Sequence, residues 1–303
     1  MYVSEARDGD ILRQLESVAR QAPGACLANL FTDEPYNRTN FTLVGRSVPA
    51  LAAAASTLAR AALALLDLRQ HAATHPRLGC VDHISCHPLP TSEAGSAAAA
   101  AAAADAGELR QRQQDEAGAA ALAVAIASEL GSGPQAVPVY TYGWAHQQRQ
   151  PLDAVRRQLG YFQGSSWHGG LQAPAAEAAG AADAELQLPL APCFGPAVVP
   201  ARSGVCCVGA GRWIVNYNVL LLTEDMVAAR AVARSVSERG GGLAAVQAMA
   251  LRHLGGIEVA CNLLQPATTP PEAVLGTIQR LAGQRGLAVG PAYRTNKAPE
   301  ELV

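Results

Sequence analysis

The chain has 303 residues, of which 50% are hydrophobic and 16% are charged, and its formal net charge is −2. This length and composition predict a globular protein with one large or two ordinary domains. The scattered charges form no basic stripe, which argues against nucleic acid or an anionic membrane as a partner. Seven cysteines without a C-x-x-C pair indicate neither a disulfide framework nor a thiolate zinc site. Because the first residues lack the apolar stretch of a signal peptide and no 20-residue apolar span follows, we expect a cytoplasmic protein.

Apolar periodicity and chain breakers predict interleaved strands and helices in the first half of the chain. Ser47 and Pro49 are typical of a helix start and open a long alanine-rich helix. After a short initial strand, the predicted strands are 24–31, 40–45, 80–89 and 136–143, and the predicted helices are 10–21, 47–71, 120–130 and 151–162. Two alanine-rich tracts, at 91–117 and 171–184, predict a surface insert and part of a linker spanning 165–188.

The second half of the chain shows the same kind of pattern. Its predicted strands are 204–209, 212–222, 244–251 and 256–264, and its predicted helices are 224–239 and 270–286. Several strands follow one another directly, which favours mixed sheets with antiparallel pairs over a doubly wound parallel sheet. We therefore predict an α/β (α+β) protein with two subdomains, 1–188 and 189–303, each a mixed sheet covered by helices on one face.

Four of the seven histidines lie close together in the sequence, at His71, His75, His83 and His87. Zinc requires three or four ligands at about 2.0–2.2 Å. His83 and His87 are four residues apart on a predicted strand, which corresponds to about 13 Å, so a shared metal would need a bend. The loose spacing argues against a metal site.

Strand alternation places His83, Ser85 and His87 on one face of this predicted strand and Asp82 on the other. His75 differs from these residues because it precedes Pro76, which disfavours the helical conformation for the residue before it. A histidine at such a turn can act as a general base near neutral pH. It can equally cap the end of the preceding helix, and local sequence alone leaves both interpretations open.

The order of several short motifs carries more information than any one of them. They are NRT at 37–39, TLVG at 42–45, HPRLG at 75–79, VDHI at 81–84, VPVYTYG at 137–143, FGP at 194–196, NYNVLL at 216–221 and CNLL at 261–264. This order resembles the formiminotransferase family, and in particular its formiminotransferase-cyclodeaminase-like plant members. The resemblance implies two α/β subdomains whose sheets face each other across a folate-binding groove.

The resemblance also implies a reaction, in which a formimino group passes from N-formiminoglutamate to tetrahydrofolate without a metal. His75 matches the family's catalytic base in its H-P-R motif. Arg38 and Arg77 are candidates to bind a substrate carboxylate, although a loop arginine can also form an ordinary surface ion pair. The residues that the resemblance places at the folate site are Gly195, Pro196, Val199, Pro200, Gly204 and Asn218.

The chain departs from the family pattern before the NRT motif, where Asp33 and Glu34 are displaced toward the turn. Three functions therefore remain open: a formiminotransferase, a folate-binding protein without transfer activity, and a structural subunit with the same fold. The sequence also leaves the oligomeric state open between a monomer and a homodimer. An acidic group close to His75 would favour the enzyme over the binding protein.

Overall fold

The computed structural model describes residues 1–89, 106–161, 186–187 and 190–302 of the chain. It contains two compact units, the first made of Met1–Pro88 and Ala103–Gly211 and the second beginning at Arg212. The strands of the first unit are β1 (Tyr2–Val3), β2 (Cys26–Asp33), β3 (Arg38–Val44), β4 (Val81–Cys86), β5 (Val139–Gly143), β6 (Leu186–Gln187), β7 (Val198–Val199) and β8 (Cys206–Ala210). Its helices are α1 (Gly9–Gln21), α2 (Val48–Leu65), α3 (Ala106–Leu130) and α4 (Leu152–Gln158).

Six of these strands form one sheet in the order β2-β3-β1-β4-β8-β5. The pairs of β4 with β8 and of β8 with β5 are parallel, and the others are antiparallel, so the predicted mixed sheet is confirmed. The parallel pairs also explain where the first unit ends. Residues 206–210 belong to its sheet, so the unit extends to Gly211 and not to the boundary that composition placed near 188.

Helices α2 and α3 cover one face of this sheet. Their Leu58 and Ile126 pack in a core with Val3, Phe41 and Val208, all of which are buried. Because side chains alternate along a strand, the residues of β1 and β4 that alternate with core residues point to the other face of the sheet, away from α2 and α3. α2 is apolar and long enough to cross a membrane by length and composition, as core helices often are.

The second unit consists of β9 (Val215–Leu221), α5 (Met226–Val236), β10 (Val246–His253), β11 (Gly256–Leu263), α6 (Pro271–Gly283) and β12 (Val289–Arg294). Its sheet has the order β10-β11-β9-β12, and every described pair is antiparallel. The prediction of a mixed sheet is therefore wrong for this unit. Strand β12 was not predicted, because its Gly290 and Pro291 interrupt the alternation that identifies a strand.

Two predicted elements have different bounds in the structure. α2 ends at Leu65 and not at His71, since the N–H of Leu68 donates to the Arg202 carbonyl and holds the chain in a non-helical path. α3 begins at Ala106, so the C-terminal part of the predicted insert is helical. The rest of that insert, at 91–105, and most of the predicted linker at 165–188 lie outside the described residues.

Candidate active site

His75 lies in the loop between α2 and β4, where its side chain is partly buried. Its Nδ1 is 2.7 Å from the carbonyl oxygen of Pro76. The centroids of the His75 and Tyr36 rings are 5.3 Å apart in an edge-to-face arrangement. A carbonyl can only accept a hydrogen bond, so Nδ1 carries the proton and Nε2 carries the lone pair. This is the tautomer that a general base requires at Nε2.

Two glycines hold the loop that carries His75. Gly79 and Gly204 pair as an isolated antiparallel bridge, and the N–H of Val205 donates to the Leu78 carbonyl at 3.1 Å. A Cβ on Gly204 would lie 2.3 Å from that carbonyl oxygen, and its φ of +69° favours glycine. Gly204, which the family resemblance places at the folate site, therefore supports the HPRLG loop through its backbone.

A buried carboxylate lies close to His75. Asp82 accepts hydrogen bonds from the Leu78 N–H at 2.6 Å and from Arg156 Nη2 at 2.6 Å, and it pairs with Arg38 Nη1 at 2.8 Å. Burial alone would raise the pKa of Asp82, but the two guanidiniums and the N–H donor outweigh it and hold that pKa well below its usual range. We call Arg38, Asp82 and Arg156 the charged triad.

A register shift explains how Asp82 reaches this position. Tyr2 of β1 opposes His83 of β4, whereas Val3 opposes Val81, so three residues of β4 face two of β1. Asp82 is the extra residue, and a bulge of this kind re-aims a side chain. The guanidinium of Arg38 lies 4.5 Å above the Tyr2 ring, which stacks on His83 at 5.2 Å. The prediction that Asp82 and His83 point to opposite faces is therefore wrong.

The charged triad acts on the protonation of His75. Burial, followed by the charges of Arg38 and Arg156, lowers the pKa of His75 to about 3, and Asp82 opposes this shift. His75 is therefore neutral at physiological pH. The nearby carboxylate that was expected to favour an enzyme is present, but both of its oxygens are already engaged by cations and an N–H group.

Arg77 occupies a different position from Arg38. Its side chain is buried, and Nη2 donates to the His71 carbonyl at 2.6 Å. His71 in turn bonds through Nε2 to the Asn37 carbonyl at 2.9 Å, and burial followed by the charge of Arg77 lowers the pKa of His71 to about 4. These contacts give Arg77 a structural role in the loop. Its predicted role in binding a substrate carboxylate stays a prediction.

The four clustered histidines bond to separate partners. His71 and His75 bond to backbone carbonyls, His83 stacks on Tyr2, and His87 bonds to Ser85 and Gly211. Across the described part of the chain, no three histidine, cysteine, aspartate or glutamate side chains are placed to share a metal ion.

The remaining predicted folate residues of the first unit lie in the segment before β8. Gly195 has a φ of +91°, and a Cβ there would lie 2.2 Å from the Val137 carbonyl oxygen. Val199 is buried, whereas Pro196 and Pro200 are partly exposed. Pro200 accepts the N–H of Gly204 at 2.8 Å through its carbonyl, which links this segment to the loop of His75.

Asn218 lies on β9 of the second unit, within a buried polar cluster. Its Nδ2 donates to Glu258 Oε2 at 2.9 Å, and the Tyr293 hydroxyl donates to Glu258 Oε1 at 2.7 Å. His253 Nδ1 lies 3.5 Å from the same oxygen. Glu258 was not predicted as a site residue, since a single acidic residue in an apolar strand gives no spacing signal.

A polar pocket of about 220 Å³ lies beside His71 in the first unit. It is smaller than the roughly 300–1,000 Å³ typical of sites for drug-sized ligands, so it does not fit a whole folate. Its lining residues include Ser4, Glu5, Asp8, Asp67, Gln70 and His71, and His75 is not among them.

The fold and the site together define an α/β protein of two units, the first of which holds a neutral histidine beside a buried charged triad. Residues 1–211 match the family model described as formiminotransferase domain, N-terminal subdomain. The chain belongs to the formiminotransferase family of transferases, and the resemblance inferred from the motif order is confirmed.

Several curated proteins are similar over most of this chain. A formiminotransferase cyclodeaminase-like protein of Arabidopsis thaliana is 38% identical, covering 100% of this chain and 93% of the relative. A glutamate formimidoyltransferase of Thermoplasma acidophilum is 26% identical, covering 99% and 87% respectively. A formimidoyltransferase-cyclodeaminase of Gallus gallus is 28% identical, covering 89% of this chain and 44% of the relative.

Proposed function

We propose that the chain transfers a formimino group from N-formiminoglutamate to tetrahydrofolate, with His75 as the general base. The attacking ring nitrogen of the folate becomes positively charged in the tetrahedral intermediate and must lose a proton before glutamate leaves. The observation that carries the proposal is the hydrogen bond from His75 Nδ1–H to the Pro76 carbonyl, because it leaves the Nε2 lone pair available. Relatives named glutamate formimidoyltransferase support the choice of donor.

The charged triad supports this proposal through its effect on basicity. Positive charge on Arg38 and Arg156 lowers the pKa of His75, so a substrate carboxylate bound beside these cations would raise that pKa again. The base would then be strongest when the anionic donor is present. In this scheme Arg38, the arginine of the triad that the sequence predicts as a carboxylate ligand, is the candidate partner of the substrate carboxylate.

The low pKa of His75 also favours a second candidate, a folate-binding protein without transfer activity. A base that is neutral but weakly basic accepts a proton poorly. In that case the residues of the site would serve binding alone.

Calorimetric titration with tetrahydrofolate, with and without N-formiminoglutamate, and an assay for released glutamate distinguish the two candidates. For the transferase we expect tetrahydrofolate binding, and glutamate release only when both substrates are present. Tetrahydrofolate binding with no glutamate release would establish the binding protein. A protein that binds no folate under either condition would contradict both.

A further inference from the structure

A second pair of reactive side chains, Ser85 in β4 and His87 just after it, lies apart from the loop of His75. His83, Ser85 and His87 alternate along this stretch of chain, and each is partly exposed, whereas Ile84 and Cys86 between them are buried. The predicted common face of the first three residues is therefore consistent with the burial pattern. Ser85 and His87 are in direct contact, with the serine Oγ 2.6 Å from the histidine Nε2.

The tautomer of His87 follows from its other contact. Nδ1 lies 2.9 Å from the carbonyl oxygen of Gly211, which can only accept, so Nδ1 carries the proton. Nε2 therefore has a lone pair and accepts the hydroxyl proton of Ser85. A nucleophile bonded to a base, which a third group orients, is the arrangement that activates serine in covalent catalysis.

Tyr142 of β5 packs beside the pair and is neutral. Gly209 of β8 lies between Ser85 and Tyr142 in the sheet register, and a Cβ there would meet the Tyr142 ring at 2.4 Å. The absence of that Cβ lets the ring lean across β8, where its hydroxyl donates to the Ile84 carbonyl oxygen at 3.3 Å. Burial raises the pKa of Tyr142, which keeps this hydroxyl protonated at working pH.

We infer that Ser85 is the nucleophile of a second reaction site, which takes acyl groups from activated carboxylic esters, with His87 as its base. This inference stands independently of the proposed folate chemistry. A new bond forms between Ser85 Oγ and the ester carbonyl carbon while the hydroxyl proton moves to His87 Nε2. The bond from that carbon to the alcohol oxygen breaks, and His87 returns the proton to the leaving alcohol.

Water completes the cycle. His87 Nε2 takes one proton from a water molecule, whose oxygen attacks the acyl carbon. The bond between that carbon and Ser85 Oγ breaks, a carboxylic acid leaves, and the proton returns to Ser85.

A fluorophosphonate probe tests this site, because it phosphonylates serines that are activated by a base. We expect one label per chain on the purified full chain, located at Ser85 by peptide mass mapping. Ser85→Ala should remove the label. His87→Gln should slow labelling at least tenfold, since glutamine can form the hydrogen bonds but cannot take the proton. Ser128→Ala, on the exposed side of α3, and His146→Gln, in a surface loop, are the matched controls.

A folded wild-type protein without a label at Ser85 would overturn the inference, as would equal labelling rates for the wild type and His87→Gln. Circular dichroism checks that each variant folds. A second measurement needs no variant: p-nitrophenyl acetate should give a burst of about one p-nitrophenol per chain before slow turnover. The lack of a burst would contradict an acyl-serine intermediate.

Discussion

The charged triad is the structural feature that sequence reasoning missed at the scale of single residues. Arg38 was predicted as a site residue, but neither Asp82 nor Arg156 was. Regular strand alternation would point Asp82 away from His83, and the register shift in β4 reverses this. Arg156 lies in a short helix that was predicted correctly, although its partner is 74 residues distant in sequence. Local patterns cannot identify such long-range ion pairs.

Removing the carboxylate of the triad should strongly destabilise the protein. Asp82→Asn leaves two largely buried guanidiniums without a counter-charge, and loss of one member of such a group costs about 3–5 kcal/mol. We expect this loss in the free energy of unfolding measured with urea. Asp10→Asn is the control, because the exposed pair of Asp10 and Arg13 should contribute only about 0–1 kcal/mol. Equal effects of the two changes would contradict the role assigned to the triad.

The pKa of His75 gives a prediction for the pH dependence of transfer. The pH profile of kcat/KM reports the ionisation of the free enzyme. Because burial and Arg38 lower the pKa of His75 to about 3, we expect no step near pH 6.5 when transfer is measured between pH 8 and 5.5. A loss of kcat/KM centred near pH 6.5 would show that the base has an ordinary histidine pKa.

At the scale of elements, the sequence identified most helices and strands correctly because their hydrophobic periodicity is regular. Helix α1, for instance, begins one residue before the predicted start at Asp10 and ends at the predicted residue. The loop that carries His75 was predicted as a turn from Pro76 and Gly79 alone. Its support by Gly204 could not be predicted, since the two glycines meet only after the chain has folded.

This close approach of glycine backbones can be tested by adding one methyl group. Gly204→Ala places a Cβ 2.3 Å from the Leu78 carbonyl oxygen at a positive φ, so the loop must shift. We expect a loss of about 1–3 kcal/mol in unfolding free energy, as for other strained backbone positions, together with reduced transfer. Gly118→Ala in α3 is the matched control, because its Cβ would meet open space. We expect it to be neutral or to stabilise the helix by up to about 1 kcal/mol. A tolerated Gly204→Ala would refute the proposed support.

At the scale of the whole molecule, three partly buried histidines make the stability of the fold depend on pH. Burial is the largest cause that lowers the pKa of His71 to about 4, that of His75 to about 3 and that of His83 well below 6.5. The unfolded chain binds protons at these residues near pH 6.5, and the folded chain does not. Stability is therefore complete above about pH 6.5 and falls as the pH decreases below it.

We expect each of these histidines to reduce the unfolding free energy by up to about 1.4 kcal/mol per pH unit in this range. Urea denaturation at pH 7.5, 6 and 5 measures the slope before most carboxylates titrate. His83→Gln should reduce the slope of unfolding free energy against pH by the contribution of about one bound proton. Ser128→Ala, which removes no titratable group from the exposed side of α3, should leave the slope unchanged. A free energy of unfolding that does not change between pH 7.5 and 5 would contradict the three low pKa values.

The central claim is that His75 removes a proton during transfer, and His75→Ala tests it most directly. Folate binding should depend mainly on apolar and backbone contacts, whereas proton removal needs the imidazole. We expect the Kd for tetrahydrofolate to stay within about tenfold of wild type, while kcat for transfer falls by roughly 10²–10⁴-fold. His146→Gln, measured in parallel, should match wild type in both quantities. A His75→Ala variant that keeps the wild-type kcat would show that His75 is structural and that the base lies elsewhere.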